Sequence, residues 1–341
     1  MGVKNLIKFI EKYAPSALRQ TRIDDYVGTR IGIDANLLLY KLIYAVRANG
    51  YDITNDGDAD TGNGTGNGTG TGPTTIIVTH IHALLLKLVA FRRYRITPIF
   101  VFDARAPAIK EATLKQREDV RQKMVTKYKD STTDKGKRIY YYIKSDITRK
   151  EIRECRKLIE IFNYVIIDAK EEADAQLAQL YRAGVVDAVA SDDMDLLLFG
   201  AGILLKNFTV SPTKWIQEIR LDVLLDEAAI TQDQLIQIGI LLGTDYCDGI
   251  PRTSPTKAYK LIEQYGDLHQ VPSVGTQCDD ALEYFRNPPV HTVNSVESDG
   301  GVNIARLVEF LQDFRFKDKY IDRILDEVEA RVEGVARWWG K

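Results

Sequence analysis

Residues 186–200 read VDAVASDDMDLLLFG. A short apolar, β-branched run opens into three aspartates, Asp192, Asp193 and Asp195, and then closes into another apolar run. Carboxylates repel one another and resist burial, so crowding them at the edge of a core calls for a reason. A buried strand that ends in an acid-bearing turn is what an open α/β sheet presents at its carboxyl edge, where ligand sites form.

The same grammar recurs. TRIGIDA (Thr29–Ala35), PIFVFDA (Pro98–Ala104), YVIIDA (Tyr164–Ala169) and GILLKN (Gly202–Asn207) are further short runs with strand character. Helix-length amphipathic segments separate them, at Asn36–Ala48, Ile76–Tyr94 and Thr148–Phe162. Strands alternating with helices predict an α/β fold with a mostly parallel central sheet flanked by helices. Beyond about Leu221 the strand signals stop, and the rest reads as helices and loops.

A chain of 341 residues with 45% hydrophobic content can bury one large α/β core or two smaller ones. Its net charge of −2 is unevenly spread: Ala104–Glu160 holds 17 Lys/Arg against 9 Asp/Glu, a net +8, which leaves −10 elsewhere. Cys155, Cys247 and Cys278 show no paired spacing, and an odd count argues against a disulfide framework or a thiolate zinc site. No apolar run approaches the roughly 20 residues that span a bilayer, and MGVKNLIKFI lacks a signal-peptide layout. The Met-Gly start is not a lipidation signal, because Leu6 stands where Ser or Thr is needed. These features point to an intracellular protein without a membrane partner. The segment Thr54–Thr75, TNDGDADTGNGTGNGTGTGPTT, offers almost nothing to bury and is expected to be a flexible loop.

Asp34 ends one strand, Asp103 a second and Asp193 a third. Each alone is as readily a helix N-cap, but caps do not account for the set. Glu172 and Asp174 open a helix, Asp193 and Asp195 form a second two-apart pair, and Asp245 lies on a turn after an apolar helix. If these acids converge, two charges about 4 Å apart repel by about 4 kcal/mol at an effective dielectric of about 20, which bound cations relieve. An all-oxygen ligand set favours Mg²⁺, with Mn²⁺ as a substitute. Two such ions are the usual apparatus for in-line attack on a phosphodiester. His80, His82, His269 and His291 have no metal spacing with the acids and read as structural or surface residues. After Asp103, Lys110, Arg117 and Arg121 share one helix face, a candidate site for a polyanion.

On these motifs the chain resembles the structure-specific 5′-nuclease family. The resemblance covers residues 1–47, resumes at VFDARAPAIKEATLKQR, runs through DAKEEADAQLA, SDDMDLLLFG and LLGTDYCDGI, and fades after about residue 265. It implies a PIN-like α/β nuclease core over residues 1–220, carrying the insertion at 54–75 and a helical arch at about 108–147. A helical, duplex-binding region with a helix–two-turn–helix element follows at 221–341, packed on the core. It further implies that Asp34, Asp103, Glu172 and Asp174 hold one Mg²⁺ and that Asp193, Asp195 and Asp245 hold a second, with Asp192 acidic but not a ligand. Lys110 and Arg117 would steer the scissile phosphate, and Tyr40 would stack beside the cut. The implied DNA contacts are Tyr40, Arg47, Lys110, Arg117, Arg121, Arg252 and Lys257. The implied reaction is hydrolysis of a 5′-flap or junction DNA, in a monomer acting in the nucleus or at another site of replication. The family's sliding-clamp motif is not seen near the end of the chain, where Trp338 and Trp339 stand.

The chain departs from the family at GIPRTSPTKAYKLI, where Arg252 and Ser254 replace two hairpin glycines. Both residues disfavour positive φ, which argues against close backbone approach to a phosphate or K⁺. Three other readings remain: a 5′-nuclease preferring ends, bubbles or RNA; a junction-binding protein without catalysis; and a phosphatase with an Asp nucleophile. The last would leave Asp34, Asp103, Glu172 and the basic face unused.

Overall fold

Seven strands form the main sheet of the computed structural model, which describes residues 2–48, 51–55, 66–67, 75–144, 146–272, 274, 278–297 and 301–330. The strands, in chain order, are β1 (Leu18–Thr21), β2 (Arg30–Asp34), β3 (Ile53–Asn55), β4 (Gly66–Asn67), β5 (Ile76–Ile77), β6 (Thr97–Phe102), β7 (Val165–Asp168), β8 (Ala188–Ala190), β9 (Ile203–Lys206) and β10 (Ile216–Arg220). The α-helices are α1 (Leu6–Tyr13), α2 (Ala35–Arg47), α3 (Thr79–Arg93), α4 (Glu111–Tyr128), α5 (Asp134–Lys144), α6 (Arg149–Ile161), α7 (Ala173–Arg182) and α8 (Asp195–Leu198). They continue as α9 (Leu221–Glu227), α10 (Gln232–Leu242), α11 (Pro255–Tyr265), α12 (Asp279–Arg286), α13 (Ile304–Asp313) and α14 (Asp318–Glu329). The chain divides into two compact units, one of Met1–Ala35, Ile99–Lys115 and Ile167–Val296, the other of Asn36–Pro98, Gln116–Ile166 and Glu297–Lys341.

The first unit carries the body of the main sheet, ordered β1-β10-β9-β8-β2-β6-β7. β2 pairs in parallel with β8, and β8 with β9, so the α/β expectation holds at the centre. Ile31, Ile33, Val189, Leu204 and Leu205 are fully or almost fully buried, which is why these strands read as continuous apolar runs. β10 and β1 extend the sheet antiparallel, with Leu18 opposite Ile219 and Thr21 opposite Ile216. Neither shows a continuous apolar run: β1, at the sheet edge, exposes Arg19 and Gln20, and β10, between β1 and β9, intersperses its buried isoleucines with Gln217, Glu218 and Arg220.

In the second unit α3 packs against α6 and α14, and α13 against α6. A small sheet ordered β4-β3-β5 frames the Gly/Asn/Thr insertion, with Thr54 opposite both Gly66 and Ile77. The loop expected over 54–75 is thus corrected at Thr54–Asn55 and Gly66–Asn67, which pair as strands. Thr54 and Asn55 are buried, and the Asn55 amide donates to the Phe314 carbonyl at 2.7 Å. The expectation of flexibility for 56–65 and 68–74 lies outside the described residues.

The cysteine reading is also corrected. Cys247 and Cys278 form a disulfide with Cα atoms 5.7 Å apart, while Cys155 is free and fully buried. Spacing along the chain is blind to this pair, because a turn and a helix bring the two residues together across 31 positions.

Arg47, expected to touch DNA, is only 4% exposed. Its guanidinium donates to Asp52 at 2.9 Å and to Glu151 at 2.7 Å. Glu151 in turn accepts from the Thr148 amide and hydroxyl, closing the capping box that starts α6. Thr79 donates to the same Asp52 oxygen, and His80 pairs with Glu154 at 2.7 Å. Arg47 is therefore the buried cation of a polar network, with no side chain to spare for phosphate. Truncating one partner of such a network leaves uncompensated charge inside. Arg47→Ala is expected to destabilise the protein by about 3–5 kcal/mol, measurable by urea denaturation.

Candidate active site

Every candidate metal ligand belongs to the first unit. β2 ends on Asp34, and Asp103 follows β6 directly. Asp103 accepts the Ala173 amide at 2.7 Å, capping the start of α7. Glu172 is the N-cap residue of α7 and Asp174 stands in its first turn. The opposite side of α7 is clasped by an extended segment: buried Gln176 exchanges two hydrogen bonds, at 2.8 and 2.9 Å, with the backbone of His291. Asp193 leaves the β8 turn, where its backbone amide donates to Ser191, and Asp195 begins α8 with its own amide donated to Asp193 at 3.1 Å. Asp245 lies in the turn after α10, its carbonyl held by Thr113 at 2.8 Å. Asp192 has another partner: its carboxylate accepts the Asn207 amide at 2.8 Å.

These acids meet around Lys110. Its ammonium bonds Glu172 and stands 3.5 Å from Asp245. Burial works against the charge on Lys110, but Glu172, Asp245 and Asp174 outweigh it and hold the ammonium protonated well above its usual range. Asp174 is pushed well above the ordinary carboxylate range by burial, and further by Asp193, Asp34, Asp103 and Asp195. Asp195 is raised in the same way by burial, then by Asp193 and Asp245. Burial also raises Asp193 and Asp103, with the nearby Lys110 opposing it in both. One oxygen each of Asp174 and Asp195 is buried without a hydrogen-bond partner.

Buried acceptors with no donor, in an all-oxygen set, suit hard divalent cations. Among the described residues no group of three or more His, Cys, Asp or Glu is arranged to hold a metal ion as the side chains stand. In this arrangement a lysine ammonium balances the acids.

Two residues at the site escaped sequence reading. Tyr246 is buried and donates its hydroxyl to Glu172, while Lys110 lies 5.4 Å from its ring centroid. In the sequence it is one apolar letter after Asp245, and nothing distinguishes it from core. Gly2 has φ +79°, and a Cβ built on it would fall 2.0 Å from Asp193 Oδ1 and 2.5 Å from Asp195 Oδ1. The only available signal was the Met-Gly start, which was read for lipidation alone.

The other expected DNA contacts are placed separately. Arg252 and Lys257, in the first unit, are exposed. Arg252 takes φ 59°, so the left-handed backbone that its side chain disfavours is adopted here. Ser254 is extended and caps α11 by accepting the Lys257 amide at 3.2 Å. In the second unit Tyr40 is 37% exposed, its ring centroid 5.4 Å from that of Tyr44. Arg117 is exposed on α4, a helix with no buried residue. Arg121 is engaged by Asp146 at 2.5 Å and by the Ile143 carbonyl.

Residues 1–124 match the XPG N-terminal domain and residues 163–245 match the XPG I-region, two segments that together contain every candidate metal ligand named above. Flap endonuclease 1 of Aspergillus clavatus is 32% identical over 338 residues, spanning 94% of this chain and 81% of the relative. The chain belongs to the flap endonuclease 1 family. Flap endonuclease 1 of Babesia bovis is 31% identical over 96% of this chain, which spans only 48% of that longer relative. The catalytic core of Rad2 in complex with DNA substrate shares the fold, with a TM-score of 0.69 at 19% identity over 96% of this chain and 100% of that one. The flap endonuclease 1 motifs are thus carried on a shared framework, with Gly2 closing over it. Gly2→Ala is expected to push Asp193 and Asp195 aside and to reduce divalent-ion affinity at least tenfold, read by Mn²⁺ calorimetry.

Proposed function

We propose that this chain is a structure-specific nuclease that cuts 5′-flap DNA, and trims 5′ ends, by hydrolysing phosphodiesters near single-strand/duplex junctions during replication and repair. The observation that carries this reading is the convergence of acids from β2, β6, α7, the β8 turn and the α10 turn: Asp174 feels Asp34, Asp103, Asp193 and Asp195, Asp195 feels Asp245, and Lys110 pairs with Glu172 and Asp245. A phosphatase would need one nucleophilic Asp and would leave most of this set idle.

Asp34, Asp103, Glu172 and Asp174 would hold one Mg²⁺, and Asp193, Asp195 and Asp245 a second, with Mn²⁺ able to replace either. When bound, two such ions would offset the carboxylate charge, grip the phosphate and supply an activated water. The remaining chemistry belongs to the chain. Lys110 stays protonated among the acids and offers a fixed positive charge for the developing charge on a phosphate oxygen. Tyr246 holds Glu172 in one orientation. Asp103 spends one oxygen on the Ala173 amide, which couples its direction to the start of α7.

DNA would be gathered by exposed basic and aromatic groups: Arg117 on α4, Tyr40 on α2, and Arg252 with Lys257 at the hairpin before α11. The arch at about 108–147 and the helices after residue 221 would serve as the strand-guiding and duplex-holding parts. Acting on DNA, the protein would work in the nucleus or another compartment where DNA is copied.

The direct test compares end-labelled flap, nick, gap, bubble and single-strand substrates in Mg²⁺. Flap DNA is expected to be cut fastest near the junction, and Asp193→Ala to abolish cutting while flap binding persists. A near-normal rate in that variant would remove Asp193 from the site. Arg117→Ala is expected to slow single-turnover cleavage by about 10²–10³-fold, the scale of losing one charge-stabilising donor, with a much smaller change in flap affinity.

A further inference from the structure

The Cys247–Cys278 disulfide stands on the turn that carries Asp245, and neither the family's motifs nor the acid cluster requires it. α10 and α12 pack together and are tied at both ends. Asp233, in the first turn of α10, receives two hydrogen bonds from Arg286 in the last turn of α12, at 2.6 and 2.8 Å. Cys247, just past the end of α10, is bonded to Cys278, just before the start of α12. The second tie is covalent and can be opened by a thiol.

What it holds reaches the site directly. Tyr246 lies between the two ties, its ring 5.0 Å from Tyr284 and 5.1 Å from Phe285 of α12, with its hydroxyl on Glu172. Asp245 precedes it. The position of α12 therefore bears on two carboxylates at once, Glu172 through Tyr246 and Asp245 through the turn. At the start of α12 Asp279 is bonded by exposed His269 at 3.1 Å, and Ala281 and Leu282 are buried. Cys247 is partly exposed and Cys278 is buried, so one sulfur is open to attack and the other waits as its partner.

We propose that Cys247 and Cys278 form a reversible thiol–disulfide site that takes a small-molecule disulfide as oxidant and a thiol as reductant, and that its oxidised form fixes the Asp245 turn for divalent-ion binding. In the oxidising direction the Cys247 thiolate attacks one sulfur of oxidised glutathione and releases one glutathione. The Cys278 thiolate then attacks the Cys247 sulfur and releases the second. Two protein thiols lose two protons and two electrons, and one glutathione disulfide becomes two glutathiones. Reduction by excess thiol retraces the steps. The effect on ion binding rests on the proposed function; the chemistry of the cysteine pair does not.

The test uses the full chain, oxidised with glutathione disulfide or reduced with dithiothreitol. Alkylation and peptide mass mapping are expected to find Cys247 and Cys278 joined after oxidation and both alkylated after reduction. Mn²⁺ calorimetry is expected to show at least threefold tighter binding to the oxidised form. Cys278→Ser should behave as the reduced form under both conditions, while Cys155→Ser keeps the full response. Free Cys247 and Cys278 after oxidation would overturn the proposal. So would identical Mn²⁺ curves for the two forms, or no Mn²⁺ binding by either. A redox-dependent Mn²⁺ curve in a protein that cuts none of the DNA substrates would leave this site standing and remove the nuclease reading instead.

Discussion

The mutual repulsion of buried carboxylates governs this molecule. Asp174, Asp193 and Asp195 are each held above their ordinary range by burial and by neighbouring carboxylates, and the Lys110 ammonium opposes this at Asp193 and Asp195. No arrangement of apolar packing would gather such groups; it has to be imposed by elements that are stable for other reasons. The central strands provide that stability. β2 and β8 are buried and paired in register, and their chain directions deliver acids to the sheet's carboxyl edge whether or not the acids favour it. The stress is then met locally. The Ala173 amide meets Asp103, the Asp195 amide meets Asp193, and the Tyr246 hydroxyl meets Glu172.

Much of this was written in the chain order. The five strand segments read from β-branched runs are all strands: β2, β6, β8 and β9 lie inside the sheet, where strands buried on both faces are apolar at nearly every position, and β7 at its edge is partly buried. The acids were legible because each ends such a run, opens the helix after it or, for Asp245, follows an apolar helix on a turn. Tyr246 and Gly2 were not, since their roles come from what lies opposite them in space and not from any pattern of neighbours. The disulfide was hidden for a related reason, being closed by a turn and a helix start far apart in sequence. β1 and β10 escaped because polar residues break both runs, Arg19 and Gln20 in β1 and Gln217, Glu218 and Arg220 in β10.

Arg47 and Arg252 illustrate opposite errors of reading a side chain by its charge. Arg47 looked like a phosphate contact and is instead enclosed by Asp52 and Glu151. Arg252 looked unable to occupy a glycine's place, yet adopts φ 59°, in a hairpin where the Thr253 amide bonds the Ile250 carbonyl and the Ile250 amide bonds Leu241. Left-handed backbone in a non-glycine residue costs of order 1–2 kcal/mol, a sum that a short turn held by such bonds can absorb. In both cases the surroundings decide what the guanidinium does.

The three-stranded ribbon in the second unit has a practical corollary. Asn55 pairs with Ile76 and Thr54 with Ile77, so the chain departs for the Gly/Asn/Thr tract and returns at the same point. With Asn55 and Ile76 paired, the two ends of the segment between them are held side by side, and for a flexible loop closed across such a clasp each doubling of length would add only about 0.6 kcal/mol of closure entropy. The clasp therefore makes this the natural place to graft a fluorophore or an affinity handle.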